Sequence, residues 1–162
     1  MKRAPLRELS GLVQAFRHTM YPPFVHGGEL DGSTLPVFVY HRITAQVFRD
    51  HCLHLVKNGY RSLDADGAVD WLEKKSPVLR PVLLTFDDGT EDLFTDVYPV
   101  LRETGVTVVA FIAPLWIGTP GYLNWEQVRE MHGSGRVDFQ SHGHSHGAVA
   151  VSPRITGFLA ER

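Results

Sequence analysis

Three histidines fall within five positions at His142, His144 and His146, in the segment Ser141-His142-Gly143-His144-Ser145-His146, out of nine in the whole chain. A polar loop holds one histidine by chance, whereas a cluster of this density suits imidazole ligation of a borderline-soft metal. His142 and His146 are four residues apart, so one helical turn would aim both at a single ion. His142 and His144 would share a face only in an extended chain, which Gly143 and Gly147 oppose. The expected pair is therefore His142 and His146.

A second cluster, Thr85-Phe86-Asp87-Asp88-Gly89, directly follows the apolar run Val82-Leu83-Leu84. It places adjacent carboxylates at the C-terminal end of a strand, where parallel α/β folds gather their active sites. Alone, the pentapeptide also reads as a loop in which one Asp caps the next helix and Gly89 relieves the turn. Together, the two clusters sit at strand ends of one parallel sheet and would face the same crevice. Two neutral imidazoles and a carboxylate make a three-ligand site with open positions, as in hydrolytic rather than closed structural metal sites. Near a divalent cation the pKa of water falls from about 15.7 towards about 7, and a second carboxylate can accept the proton. Adjacent carboxylates repel when both are ionised; coordination keeps one charged and leaves the other as base. Residue type and spacing do not say which aspartate takes which part.

The elements that must position these groups alternate. Apolar strand-like runs at 35–40, 81–86, 106–112 and 136–140, with a short one at 60–63, are separated by helical patterns. The helices are expected at 44–58, stopped by Asn58-Gly59, and at 64–75, 91–104 and 124–132. Pro99 should kink or divide the third. The last carries an N-terminal signature: Asn124 as cap, Gln127 three residues on, and Leu123 with Val128 at the staple positions. This alternation implies parallel strands joined by helical crossovers. It supplies about five strands, whereas a closed (β/α) barrel uses about eight, so the fold reads as unfinished. Ahead of it, residues 5–20 read as an amphipathic helix with Leu6, Leu9, Val13, Phe16 and Met20 at helical spacing. Tyr21 to Gly32, rich in Pro and Gly, reads as a linker. The expected organisation is a helix and linker over 1–34 and an α/β domain over 35–162. Near the end, Ser152-Pro153 reads as a further helix start.

With 162 residues, 16 Lys+Arg against 18 Asp+Glu, 43% hydrophobic and 21% charged residues, the composition is that of one globular domain. A chain of this size buries about two thirds of its surface and needs no metal merely to fold, so any metal here is expected to be functional. The near-neutral balance gives no electrostatic footprint for nucleic acid. Cys52, the single cysteine, cannot form an internal disulfide and is expected as a small core hydrophobe. Lys2 and Arg3 would suit an export signal, but Arg7, Glu8, Gln14, Arg17 and His18 interrupt any apolar stretch. A cytoplasmic location is thus the default expectation. The longest apolar run, Val108 to Ile117, contains Pro114 and is shorter than the roughly 18–20 residues of a membrane span, so none is expected.

With both clusters in view, the sequence resembles the polysaccharide deacetylases of carbohydrate esterase family 4, the NodB-homology domain. The resemblance rests on TFDDG at 85–89 and on SHGHSH at 141–146, which is similar to the family's His-(Ser/Thr)-x-x-His element. PVFVYHRI at 36–43, VFRDHCLHLVKNGY at 47–60 and LNWEQVREMHGSGRVDF at 123–139 support it and look like the subgroup acting on exported N-acetylglucosamine polymers. The resemblance implies an α/β fold: a distorted (β/α) barrel, here incomplete, with an N-terminal helical appendage. It implies metal-dependent hydrolysis of an N-acetyl amide, or sometimes an O-acetyl ester, on an N-acetylated polysaccharide or oligosaccharide. By matching position, Asp87 resembles the general base, and Asp88, His142 and His146 resemble the ligands of a zinc-type ion, with Co2+, Ni2+ or Mn2+ as alternatives. The cation would polarise the acetyl carbonyl and hold the oxyanion.

Two departures stand out. Gly143 occupies the usual Ser or Thr position, and nothing matches the family's later Arg-Pro, Asp-Trp and Leu-x-x-His segments. The last supplies the family's general acid, so a C-terminally truncated half-site is expected, its turnover in question for want of a proton donor. His41, after Tyr40 at the end of the first strand, could line the crevice or simply be a polar strand terminus. Trp116, between Pro114 and Gly118, could stack on a sugar ring. His51 and His54 are expected to be solvated or packed, Trp125 to join Val128 and Met131 in a core stripe, and Lys74-Lys75 to be a solvated helix end. The competing functions are a deacetylase, a non-catalytic remnant binding metal or glycan, and an interaction domain whose His cluster is incidental.

Overall fold

Each expected strand of the 35–141 region is present in the computed structural model, which describes residues 34–75 and 77–147. The helix over 5–20, the linker over 21–32 and the helix start at Ser152-Pro153 lie outside the described residues. In chain order the elements are β1 (Val37–Tyr40), α1 (Ala45–Lys57), β2 (Arg61–Ser62), α2 (Ala65–Leu72) and β3 (Pro81–Phe86). There follow a π-helical turn (Leu93–Val97), α3 (Tyr98–Thr104), β4 (Val108–Ile112), α4 (Trp125–Gly133) and β5 (Val137–Ser141).

The strands run parallel in the order β1-β3-β4-β5, with β2 paired to the start of β3. β3 reads as a near-continuous apolar run and is buried along almost its whole length, as a central parallel strand must be. Its even-numbered residues Val82, Leu84 and Phe86 form the core with Phe48 and Cys52 of α1, Leu93 and Val97, and Val100 and Leu101 of α3. Val108, Ala110 and Ile112 of β4 continue it to Met131 of α4 and Val137 of β5. Tyr40 closes one end, stacked on Phe86 with ring centroids 5.0 Å apart and edge-on to Phe48 at 5.7 Å. Across the sheet, Val37 and Val39 remain 52% and 58% exposed. The core therefore lies between the helices and one face of the sheet.

Pro99 divides the 91–104 pattern rather than bending it. Lacking an N–H, it cannot continue a helical ladder; the chain widens over Leu93–Val97 and restarts at Tyr98, with Pro99 in the first turn of α3. α4 forms with its expected capping box: Asn124 Oδ1 accepts from the N–H groups of Glu126 and Gln127, both at 2.9 Å, and Gln127 Oε1 accepts from Asn124 N–H at 2.8 Å. Trp125 corrects the expected core stripe: Met131 is fully buried, but Trp125 is 47% exposed. A helical side chain leans back over the preceding turn, and the first helical residue has none to lean on. No helix among the described residues is long and apolar enough to cross a membrane.

Candidate metal centre

The centre is assembled where β3 and β5 end. Asp87 N–H donates to Tyr40 C=O at 3.0 Å, extending the β1–β3 ladder by one residue. Asp88 and Gly89 then both adopt left-handed backbone, at φ 75° and 74°. A Cβ at Gly89 would lie 2.8 Å from Ile112 Cγ2, so the loop can sit this close to the end of β4 only with glycine there. The reversal sends the two neighbouring carboxylates to different partners. Asp87 Oδ2 lies 3.9 Å from His41 Nε2, while Asp88 Oδ1 lies 3.5 Å from His142 Nε2 and 3.6 Å from His146 Nε2.

His142 N–H donates to Ile112 C=O at 2.9 Å, which holds it on the β4–β5 ladder. The helical turn expected from 142 to 146 does not form. Residues 142–147 are an irregular loop, in which left-handed backbone at Gly143 (φ 80°) and His146 (φ 52°) folds the chain back at once. The expected pair is nevertheless the pair brought together, with ring centroids 4.7 Å apart. His144 is exposed and contributes its carbonyl, which accepts Leu115 N–H at 3.1 Å.

One ligand atom from each of Asp88, His142 and His146 lies within 4.8 Å of the others. Asp88 Oδ1 is buried and has no hydrogen-bond partner. An orphaned carboxylate oxygen is costly, and imidazole lone pairs facing it add repulsion unless a proton or a cation lies between. Two imidazoles and a carboxylate are the donor set of an open zinc-type site, so these residues fit a divalent cation.

Both expected sugar contacts border the centre. The His41 side chain is 65% exposed, and its carbonyl accepts from Thr90 Oγ1 at 3.4 Å. The half-buried Trp116 ring lies 4.8 Å from that of His146 and 5.0 Å from that of Tyr122. Phe111, 6.4 Å from the His142 ring, and Tyr122 are flanking residues that sequence reasoning missed. Only the alternation of β4, which turns Phe111 away from the core face, hints at the first. His51, expected as solvated or packed, shares a hydrogen bond of 3.2 Å with Tyr40 Oη. Burial, then the neighbouring Cys52, push the Tyr40 phenol above its ordinary range and keep it neutral.

A family model described as polysaccharide deacetylase matches residues 74–156, just over half of the chain. The chain belongs to the polysaccharide deacetylase family. A Bacillus subtilis (strain 168) protein named for this family is 35% identical over 121 residues, covering 69% of this chain and 43% of that protein. The poly-beta-1,6-N-acetyl-D-glucosamine N-deacetylase of Staphylococcus epidermidis is 26% identical over 107 residues, 63% of this chain and 37% of its own length. The chain thus spans less than half the length of these curated relatives. Among solved structures, Streptococcus pyogenes deacetylase PplD in complex with acetate superposes with a TM-score of 0.67 at 20% identity, over 73% of this chain and 60% of that one. IcaB from Ammonifex degensii gives 0.63 at 28% identity, over 68% and 53%. The fold is therefore the α/β fold of NodB-type deacetylases, its five parallel strands consistent with an incomplete barrel.

Proposed function

We propose that the chain carries the metal-binding and base half of a metal-dependent hydrolase that removes N-acetyl groups from a carbohydrate polymer. The observation that supports this most directly is the buried, unbonded Asp88 Oδ1 facing the Nε2 atoms of His142 and His146. A cation of the zinc type held by these three residues, with cobalt, nickel or manganese as alternatives, would supply Lewis acidity to the acetyl carbonyl and to water. Asp87, turned from the histidine pair toward His41, is the proposed general base: unligated, it can accept a proton from the attacking water. Cleavage of an amide also needs a proton on the departing nitrogen. His41 and Trp116 are the proposed contacts to the sugar. An N-acetylglucosamine polymer as substrate is supported by the name of the Staphylococcus epidermidis relative.

Acetate release from N-acetylglucosamine oligomers by the purified chain, supplied with zinc or cobalt, tests the proposal. Asp87→Asn is expected to abolish release while metal binding persists, and His41→Gln to weaken substrate binding at unchanged metal affinity. Joint substitution His142→Ala and His146→Ala should remove stoichiometric metal binding. Retention of that binding would overturn the ligand assignment. Metal binding with no acetate release would favour a non-catalytic metal- or glycan-binding domain.

A further inference from the structure

Ligating histidines are ordinarily oriented by a hydrogen bond from the second ring nitrogen to a carboxylate, carbonyl or water. Among the described residues, neither His142 nor His146 has a hydrogen bond from its ring. His146 is the less supported of the two. It stands five residues past β5, is exposed and has left-handed backbone at φ 52°, whereas His142 is held by the β4–β5 ladder. Among the described residues, the indole of Trp116 lies 4.8 Å from its ring.

The loop that carries Trp116 is itself fastened to the aspartate side of the centre. Leu123 N–H donates to Gly89 C=O at 3.0 Å, Glu91 N–H to Gly121 C=O at 3.0 Å, and Thr90 bridges to Tyr122. Within the loop, Trp116 C=O accepts from Thr119 N–H at 3.0 Å and from Thr119 Oγ1 at 2.6 Å. Its ring is backed by Tyr122 at 5.0 Å. Toward the histidine side, Leu115 N–H donates to His144 C=O. Residues 113–123 thus join the Asp88 turn to the His146 turn.

We infer that Trp116 is a positioning residue for His146: its indole, held by the 113–123 loop, packs beside the imidazole and fixes its plane toward Asp88. This role is additional to any sugar contact and rests on the metal-site reading above. A flat, rigid ring suits it, since it restrains a neighbouring imidazole by contact area at small cost in side-chain entropy.

Titration of the purified chain with Co2+, with affinity read by calorimetry and chelator competition, tests the inference without any turnover. Trp116→Ala is expected to weaken binding by about tenfold, in the range for loss of a residue that orients a ligand, and Trp116→Phe to restore most of it. In a His146→Ala background, Trp116→Ala should have no further effect. Co2+ should also quench the tryptophan fluorescence of the unsubstituted chain, and most of that quenching should vanish in Trp116→Phe but persist in Trp71→Phe and Trp125→Phe. Should the alanine variant fail to fold, absence of this quenching would place the ion away from Trp116 and overturn the inference. Binding that is weakened in His146→Ala but unchanged in Trp116→Ala overturns the inference alone, as does an equal effect of Trp116→Ala in both backgrounds. Absence of Co2+ binding by the unsubstituted chain overturns the metal-site reading and this inference with it.

Discussion

Asp88 combines two unfavourable features: left-handed backbone, which costs a non-glycine residue about 1–3 kcal/mol, and a buried oxygen with no hydrogen bond. Such features persist when function requires them. Asn tolerates the same backbone and carries no charge, so Asp88→Asn should leave metal-free stability unchanged or raised while lowering metal affinity at least tenfold, or about 1.4 kcal/mol. Urea midpoints and metal titrations measure the two effects; a fall in the midpoint would show that Asp88 serves the fold instead. Cys52 differs. Burial raises its thiol to about 11, a hydrogen bond with Thr104 opposing, so the group is inert at neutral pH. A folded-state value above the ordinary 9.0 means that the native state holds the proton more tightly. The contribution is complete below about pH 9 and is lost as pH rises through about 11. Urea midpoints across this window should fall less steeply for Cys52→Ala than for the unsubstituted chain.

At the scale of elements, the turn after β3 depends on Gly89 for two separate reasons. Its φ of 74° disfavours any side chain, and an added Cβ would press on Ile112. Gly105, at φ 76°, has nothing within 4 Å of such a Cβ. Gly89→Ala is therefore expected to cost at least about 2 kcal/mol, and Gly105→Ala about 1 kcal/mol, by urea unfolding. Equal costs would mean that the contact with β4 carries no weight. The contrast also shows what local sequence could reveal. The cap of α4 was legible because Asn124 and Gln127 satisfy each other within three residues. The loop after β5 was not, because the path of residues 142–147 follows from the β4–β5 ladder and not from histidine spacing.

At the scale of the molecule, the hydrophobic core formed by the described residues lies on one side of the sheet. Leu84→Ala, in the core, should cost about 2–5 kcal/mol, whereas Val39→Thr, on the exposed face of β1, should change stability by no more than about 0.5 kcal/mol. A large loss at Val39 would show that this face is covered in solution.

Residue type, strand-end position and period sufficed for the parallel α/β plan and for two chemical clusters at the same end of the sheet; His142 and His146 do meet, but not through the helical turn that their spacing suggested. The plan and the shared end follow from interactions within a few residues and from the rule that parallel strands share their C-terminal edge. Spacing left open which aspartate meets the histidines, and only the family resemblance pointed to Asp88; how Gly143 turns the chain, why Trp125 is exposed and what lies against His146 were decided by tertiary structure. A side chain at the end of a strand points where its backbone dihedrals send it. Here those dihedrals are set by distant contacts, with Gly89 held against Ile112 and Leu123, and His142 held by Ile112.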